Sequence, residues 1–191
     1  MNYKRLWYTI RLCMIGGSKK RADYIRSKNV YASVGENCSI QKRKIPLYPN
    51  LIRLGNNVHL ASGVSFITHD ITHRMLNHLD IVRRYGGLHE RIGCIEIGDN
   101  VFVGAGVRIL FDTKIGSNVI IGAGSTVTKD IPSNSVAVGS PARVISSLDE
   151  FIEKAVMADK LSEDMLPKNQ SVSEESAKRL WTAFDKKHAL L

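Results

Sequence analysis

Residues 95–127 read IEIGDN, VFVGAG, VRILFD, TKIGSN, VIIGAG, STV. Cut this way, an aliphatic residue closes the first half of every unit: Ile97, Val103, Ile109, Ile115, Ile121 and Val127. Two positions earlier stand Ile95, Val101, Val107, Thr113, Val119 and Ser125. A helix would space its apolar residues by three and four, and a plain strand would alternate without interruption. Here alternation lasts for one short stretch, and a corner then resets the phase. Residues two apart on a strand point to the same side, so each pair faces one interior. Gly and Asn follow at Gly98-Asp99-Asn100 and Gly116-Ser117-Asn118, residue types that tolerate positive φ at a corner. About three units close a triangular coil, and stacked coils make a parallel β-helix.

The period extends backwards through Ile52, Leu54, Val58, Leu60, Val64 and Phe66, with a first fragment at Val34-Gly35 and Ile40. It breaks twice. Residues 41–51, with Pro46 and Pro49, are expected to bulge, and residues 68–92 to leave the prism as one long loop. Long loops on rigid scaffolds carry function. Three divisions are expected: a basic helical segment over 1–28, the β-helix over 29–146, and a helical extension over 147–191. Ser147 with Glu150 and Ser171 with Glu174 read as capping boxes for helices over about 148–162 and 172–189, with Pro167 and Asn169 in the linker. Leu180, Trp181 and Phe184 form an apolar stripe read as packing.

The chain carries 27 Lys and Arg against 18 Asp and Glu, a net charge of +9. Residues 1–44 hold eleven of the bases and only two acids, Asp23 and Glu36. Such a block attracts phosphates. No helix-turn-helix, zinc-finger or RNA-binding signature accompanies it, so nucleic acid is not expected. Lys4-Arg5 and the apolar run to Gly17 imitate a signal peptide, but Arg11 splits the run and no small-residue cleavage site follows. Two readings stand for this segment. It lies on a membrane surface through Leu6, Trp7, Ile10 and Met14, or it packs on its own domain or a neighbouring subunit. Cys13, Cys38 and Cys94 show no metal spacing and read as reduced, buried thiols of a cytoplasmic protein.

Four segments together resemble the sugar O-acetyltransferases of the hexapeptide-repeat superfamily, the galactoside, maltose, capsule and lipopolysaccharide type. They are Phe66-Ile67-Thr68-His69-Asp70, Ile97–Gly104, Ile121–Asp130 and Gly139–Ile145. The resemblance implies a mainly β fold, a left-handed parallel β-helix flanked by N-terminal and C-terminal helices. It also implies an acetyl-coenzyme A donor, a cytoplasmic trimer with sites between subunits, and a glycan-precursor acceptor. His69 occupies the family's catalytic position. A sugar hydroxyl is a poor nucleophile, and an imidazole can take its proton as it attacks the thioester. His73, Arg83 and Arg84 on the loop are candidates for acceptor binding. By motif, Ala105 and Ala123 would lie along the pantetheine arm, with Thr128, Lys129 and Arg143 near the phosphates. His69, His73 and His78 crowd into one loop. The zinc sites of related γ-type carbonic anhydrases gather their ligands from separate coils and two chains, so no metal is expected. Three alternatives remain: an amino-sugar N-acetyltransferase, an antibiotic acetyltransferase, and a non-catalytic scaffold anchored by the basic N-terminus.

Overall fold

The computed structural model describes residues 3–158, 162, 165–167 and 171–189. Met1, Asn2, Asn169 and residues 159–161 of the expected C-terminal helix lie outside the described residues. The strands stack into three parallel ladders. One holds Ser33–Val34, Ile52–Leu54, Ile95–Ile97 and Thr113–Ile115. A second holds Ser39–Ile40, Val58–Leu60, Val101–Val103, Val119–Ile121 and Ser135–Val138, closed by the antiparallel Arg143–Ser147. The third holds Ser65–Ile67, Arg108–Leu110 and Thr126–Val127. Ile97 stacks on Leu54 and Ile115, and Val103 on Leu60 and Ile121. These aliphatic residues are all buried, and Thr113 and Ser125 are buried with them. Both hydroxyls donate to a carbonyl three residues back, Thr113 to Leu110 and Ser125 to Gly122, so neither buries an unpaired donor.

The corners divide their labour in a way that residue type alone did not reveal. Positive φ falls on Gly63, Gly106 and Gly124 at one corner, and at another on Asn57, Asn100 and Asn118 rather than on the preceding Gly55, Gly98 and Gly116. The asparagine amides form a ladder, Asn57 Nδ2 donating to Asn100 Oδ1 and Asn100 Nδ2 to Asn118 Oδ1, both at 3.0 Å. Gly98, Gly104 and Gly116 answer a different need. A Cβ on Gly104 would stand 2.5 Å from the backbone nitrogen of Ala123 in the next coil. Gly104→Ala should therefore force neighbouring coils apart and cost about 1–3 kcal/mol in chemical denaturation.

Two helices precede the prism, α1 (Tyr3–Met14) and α2 (Ser18–Ser27). Ala22 and Ile25 of α2 and Leu12 of α1 join the core, with Tyr8 and Ile15 packed against it. Leu6, Trp7, Ile10 and Met14 are exposed on the other side of α1. Within the break at 41–51, Ile45 is buried, and its N–H donates to Thr9 Oγ1 of α1. The excursion loop is not structureless. An antiparallel pair, His69–Asp70 with Arg91–Ile92, ties its base, and it carries two short helices, α3 (His73–Leu76) and α4 (Asp80–Arg84).

Contacts divide the chain into Met1–Ile152 and Glu153–Leu191. Ser147 caps α5 (Leu148–Met157) by accepting from Glu150 N–H, and the helix ends five residues short of the expected 162. In the second unit the cap of α6 (Glu174–His188) is Ser173, accepting from Ser176 N–H, rather than Ser171. Cap geometry selects the serine immediately before the first helical turn. Trp181 meets Phe184 edge to face at 5.6 Å. Only Cys38 of the three thiols is buried, with its S–H on Gly55 O at 3.2 Å. Cys13 and Cys94 are exposed, against the expectation of buried thiols.

Candidate active site

His69 stands where the third ladder ends and the loop begins. Phe66 is the last inward residue of its strand, and Thr68 is buried with its hydroxyl donating to Leu47 O at 2.6 Å. That bond fastens the loop's mouth to the irregular 41–51 segment. The same segment supplies Tyr48, whose ring lies edge-on to the His69 imidazole at 5.7 Å. Tyr48 is itself in the left-handed region at φ 48°, and its hydroxyl donates to Glu90 Oε1 at 3.1 Å. That hydrogen bond, more than burial, raises the phenol above its ordinary range. His69 Nδ1 is buried without a hydrogen-bond partner. A buried, unpaired ring nitrogen costs free energy, and such groups concentrate where function tolerates them.

Asp70 turns the chain away from His69. Its Oδ1 accepts from Thr72 N–H at 2.7 Å. This bond leads the causes that hold the carboxyl below the usual carboxylate range, with Arg91 and His73 adding charge. Because the folded value lies below the unfolded one, the turn is stabilised above the ordinary range and released as pH falls through about 4 and below. Proteolytic cleavage within residues 71–76 is expected to accelerate below that pH in the wild type. The acceleration should be flattened in Asp70→Asn, which accepts the same bond without titrating.

The structure places His73 at the start of α3, half-buried, also with an unpaired buried Nδ1 and in electrostatic reach of Asp70. Arg83 is occupied within its own loop, donating to Asn77 O at 3.2 Å and pairing with Asp80 at 3.5 Å, while Arg84 is exposed beside it. His78 and His89 are exposed. Among the described residues no group of three His, Cys, Asp or Glu could hold a metal ion.

Ala105 and Ala123 sit on one edge of the prism, one above the other and both exposed, joined through Gly124 N–H to Ala105 O at 2.8 Å. Thr128 and Lys129 are exposed just past the last strand of the third ladder. Arg143 stands beside that strand's level, because Ala142 N–H donates to Thr126 O at 2.8 Å. The five residues that the resemblance singles out for coenzyme A thus fall in two groups, Ala105 with Ala123 before the third ladder and Thr128 and Lys129 past its last strand, with Arg143 beside that strand.

Residues 93–129 match the family model described as bacterial transferase hexapeptide (six repeats). The chain is 39% identical to protein CapG of Staphylococcus aureus over 139 residues, 69% of this chain and 74% of that one. It is 35% identical to the galactoside O-acetyltransferase of Lactococcus lactis over 147 residues, covering 64% of this chain and 66% of that one. Among solved structures, a maltose O-acetyltransferase from Clostridium difficile superposes with TM-score 0.50 at 32% identity, covering 76% of this chain and 87% of the other. A galactoside acetyltransferase in complex with coenzyme A gives 0.54 at 30% identity, covering 79% and 84%. The chain belongs to the hexapeptide-repeat acetyltransferases. Its prism is accordingly the family's left-handed parallel β-helix.

In this hexapeptide-repeat acetyltransferase two residues escaped sequence reasoning: Tyr48 beside His69, and Glu90, which holds the Tyr48 hydroxyl. Tyr48 and Glu90 lie 42 residues apart, in the two segments where the six-residue period fails, so no periodicity points to them. Thr68 is legible only as the companion of His69 in the motif.

Proposed function

We propose that this chain is an acetyl-coenzyme A-dependent O-acetyltransferase acting on a sugar hydroxyl of a cell-surface polysaccharide or its precursor. The observation that carries the reading is the setting of His69. Its ring is fixed edge-on by Tyr48, its Nδ1 is turned into the protein, and it stands at the mouth of a loop tied to the prism by Thr68. That setting leaves Nε2 for the acceptor. In the reaction Nε2 takes the hydroxyl proton as the oxygen attacks the thioester carbon. The tetrahedral oxyanion collapses, the carbon–sulfur bond breaks, and the imidazolium returns the proton to the departing thiolate. Direct transfer needs no acyl-cysteine.

The donor reading rests on the stacked, exposed Ala105 and Ala123, whose small side chains suit a slim pantetheine arm. Thr128, Lys129 and Arg143 beyond them suit phosphates. The galactoside acetyltransferase complexed with coenzyme A supports the same donor. His73 and Arg84 face the acceptor side of the loop in this reading, whereas Arg83 chiefly holds α4 in shape. A homotrimer with grooves between subunits is the assembly we favour, because none of the cavities seen among the described residues includes His69. We place the enzyme in the cytoplasm, where acetyl-coenzyme A is made available to glycan precursors. Thiol release from acetyl-coenzyme A, measured with hydroxyl and amino sugars, tests the proposal. Release that depends on a hydroxyl sugar and collapses in His69→Ala is expected. Release with amino sugars alone would overturn the O-acetyl reading.

A further inference from the structure

Helix α1 has two apolar faces, and only one of them is used. Tyr8, Leu12 and Ile15 pack on the core. Tyr3, Leu6, Trp7, Ile10 and Met14 recur at helical spacing on the opposite face, from 41% exposed at Leu6 to 80% at Tyr3. A contiguous exposed apolar stripe marks a partner surface. Next to it lies a cavity of about 250 Å³ whose apolar walls include Leu6, Cys13 and Ile45 and whose cations are Arg5, Arg43 and Lys44.

The charge here is crowded and one-signed. Arg21 is buried yet donates only to carbonyls, Ile40 O at 2.9 Å and Ile15 O at 3.0 Å. Burial first, and then the nearby Arg43, lower its pKa, and Lys42 is lowered by burial and by Lys44. Of the two acids in residues 1–44, Asp23 is committed to Arg26 at 3.0 Å. None of the ion pairs among the described residues includes Arg21, Arg43 or Lys44. No described helix is long and apolar enough to cross a membrane.

We infer that the outer face of α1, together with the cationic cavity beside it, docks this protein on an anionic phospholipid bilayer. Trp7 and its apolar neighbours enter the headgroup boundary, and Arg43 and Lys44 meet a headgroup phosphate whose glycerol fits the cavity. Charge complementarity selects this occupant, since a second copy of so basic a surface would repel the first. The docked helix is coupled to the site. Ile45 is bonded to Thr9 of α1, and Tyr48, three residues on, is the wall of His69. The stretch from Lys44 to Tyr48 spans at most about 14 Å, which holds the mouth of the loop near the surface of the bilayer.

Trp7 and Trp181 are the chain's two tryptophans, so the Trp181→Phe variant reports on Trp7 alone. The full chain in that background is titrated with vesicles of phosphatidylcholine, alone or mixed with phosphatidylglycerol, and fluorescence and cosedimentation are read together. The expected result is a blue shift of Trp7 and about tenfold stronger pelleting with the anionic vesicles only. Trp7→Glu, and separately Arg43→Glu with Lys44→Glu, should abolish the preference, while Trp7→Phe, which keeps an apolar ring, should retain it. Equal pelleting on neutral vesicles, no pelleting on anionic ones, or binding indifferent to Trp7→Glu would overturn the inference. So would a Trp7 already blue-shifted without lipid and dependent on protein concentration, the signature of a second copy on this face. Vesicle binding is read without turnover, so its outcome stands apart from the role of His69.

Discussion

His69→Ala is expected to slow acetyl transfer on the order of 10²–10⁴-fold, the range that a positioned general base supplies, while melting close to the wild-type temperature. The two halves of this expectation come from the same geometry. His69 Nδ1 has no hydrogen-bond partner, so its removal strands no donor or acceptor elsewhere, and it relieves a buried unpaired atom. Against that stands the edge-to-face contact with Tyr48, worth about 0.5–1.5 kcal/mol. The sum is a stability change within about 1 kcal/mol, a few degrees at this chain length. Acetyl-coenzyme A binding should persist, since its proposed contacts lie on other coils. His73→Ala is the control. It removes an imidazole of similar burial from the same loop, and a loss below about tenfold would separate a base from a neighbour. A His73→Ala variant as inert as His69→Ala would move the proton transfer to α3.

Ile121→Ala has the opposite signature. Ile121 is fully buried in the middle of the second ladder, between Val103 below and Ala137 above. Truncating it removes a methyl stack and leaves a cavity that rigid coils cannot close. The expected cost is about 2–5 kcal/mol, at the high end because neighbouring strands are pinned by their ladder hydrogen bonds. Calorimetry should show the melting point falling by about 2–4 °C for each kcal/mol. Catalytic constants measured well below that temperature should change little, because the lost side chain lies wholly inside the prism.

The two variants mirror what was legible in the sequence. The prism was, because one residue in six must be a buried aliphatic for a coil to stack, and that demand writes itself into Ile97, Val103, Ile109, Ile115 and Ile121. The position of His69 at the loop's mouth followed from the same register. The glycines were legible as special, but for a second reason. The φ demand is shared by Asn57, Asn100 and Asn118 with Gly63, Gly106 and Gly124, while Gly98, Gly104 and Gly116 answer the closeness of neighbouring coils, a contact that exists only once the chain is folded. The surroundings of His69 were hidden, because Tyr48, which reaches it, and Glu90, which holds Tyr48, come from segments without periodicity. Helix α1 was half legible. Its apolar content showed, but only the packed core reveals that Leu12 faces inward while Trp7 does not.

The ladders also set how freely this protein's relatives can diverge. Ile97 pairs with Ile115, 18 positions along the chain, whereas Leu54 pairs with Ile97, 43 positions along, because the excursion loop lies between them. Closing the longer interval costs only about 0.8 kcal/mol more, since loop entropy grows with the logarithm of length. The scaffold therefore tolerates lengthening, shortening or exchange of that loop at almost no thermodynamic expense, while a single changed residue in a coil is penalised several-fold more heavily. Evolution on such a frame can rewrite what surrounds the loop's mouth and leave the stack untouched. Grafting a foreign loop between Asp70 and Arg91, which already pair across the loop's base, keeps His69 in place and is the natural route to a new acceptor.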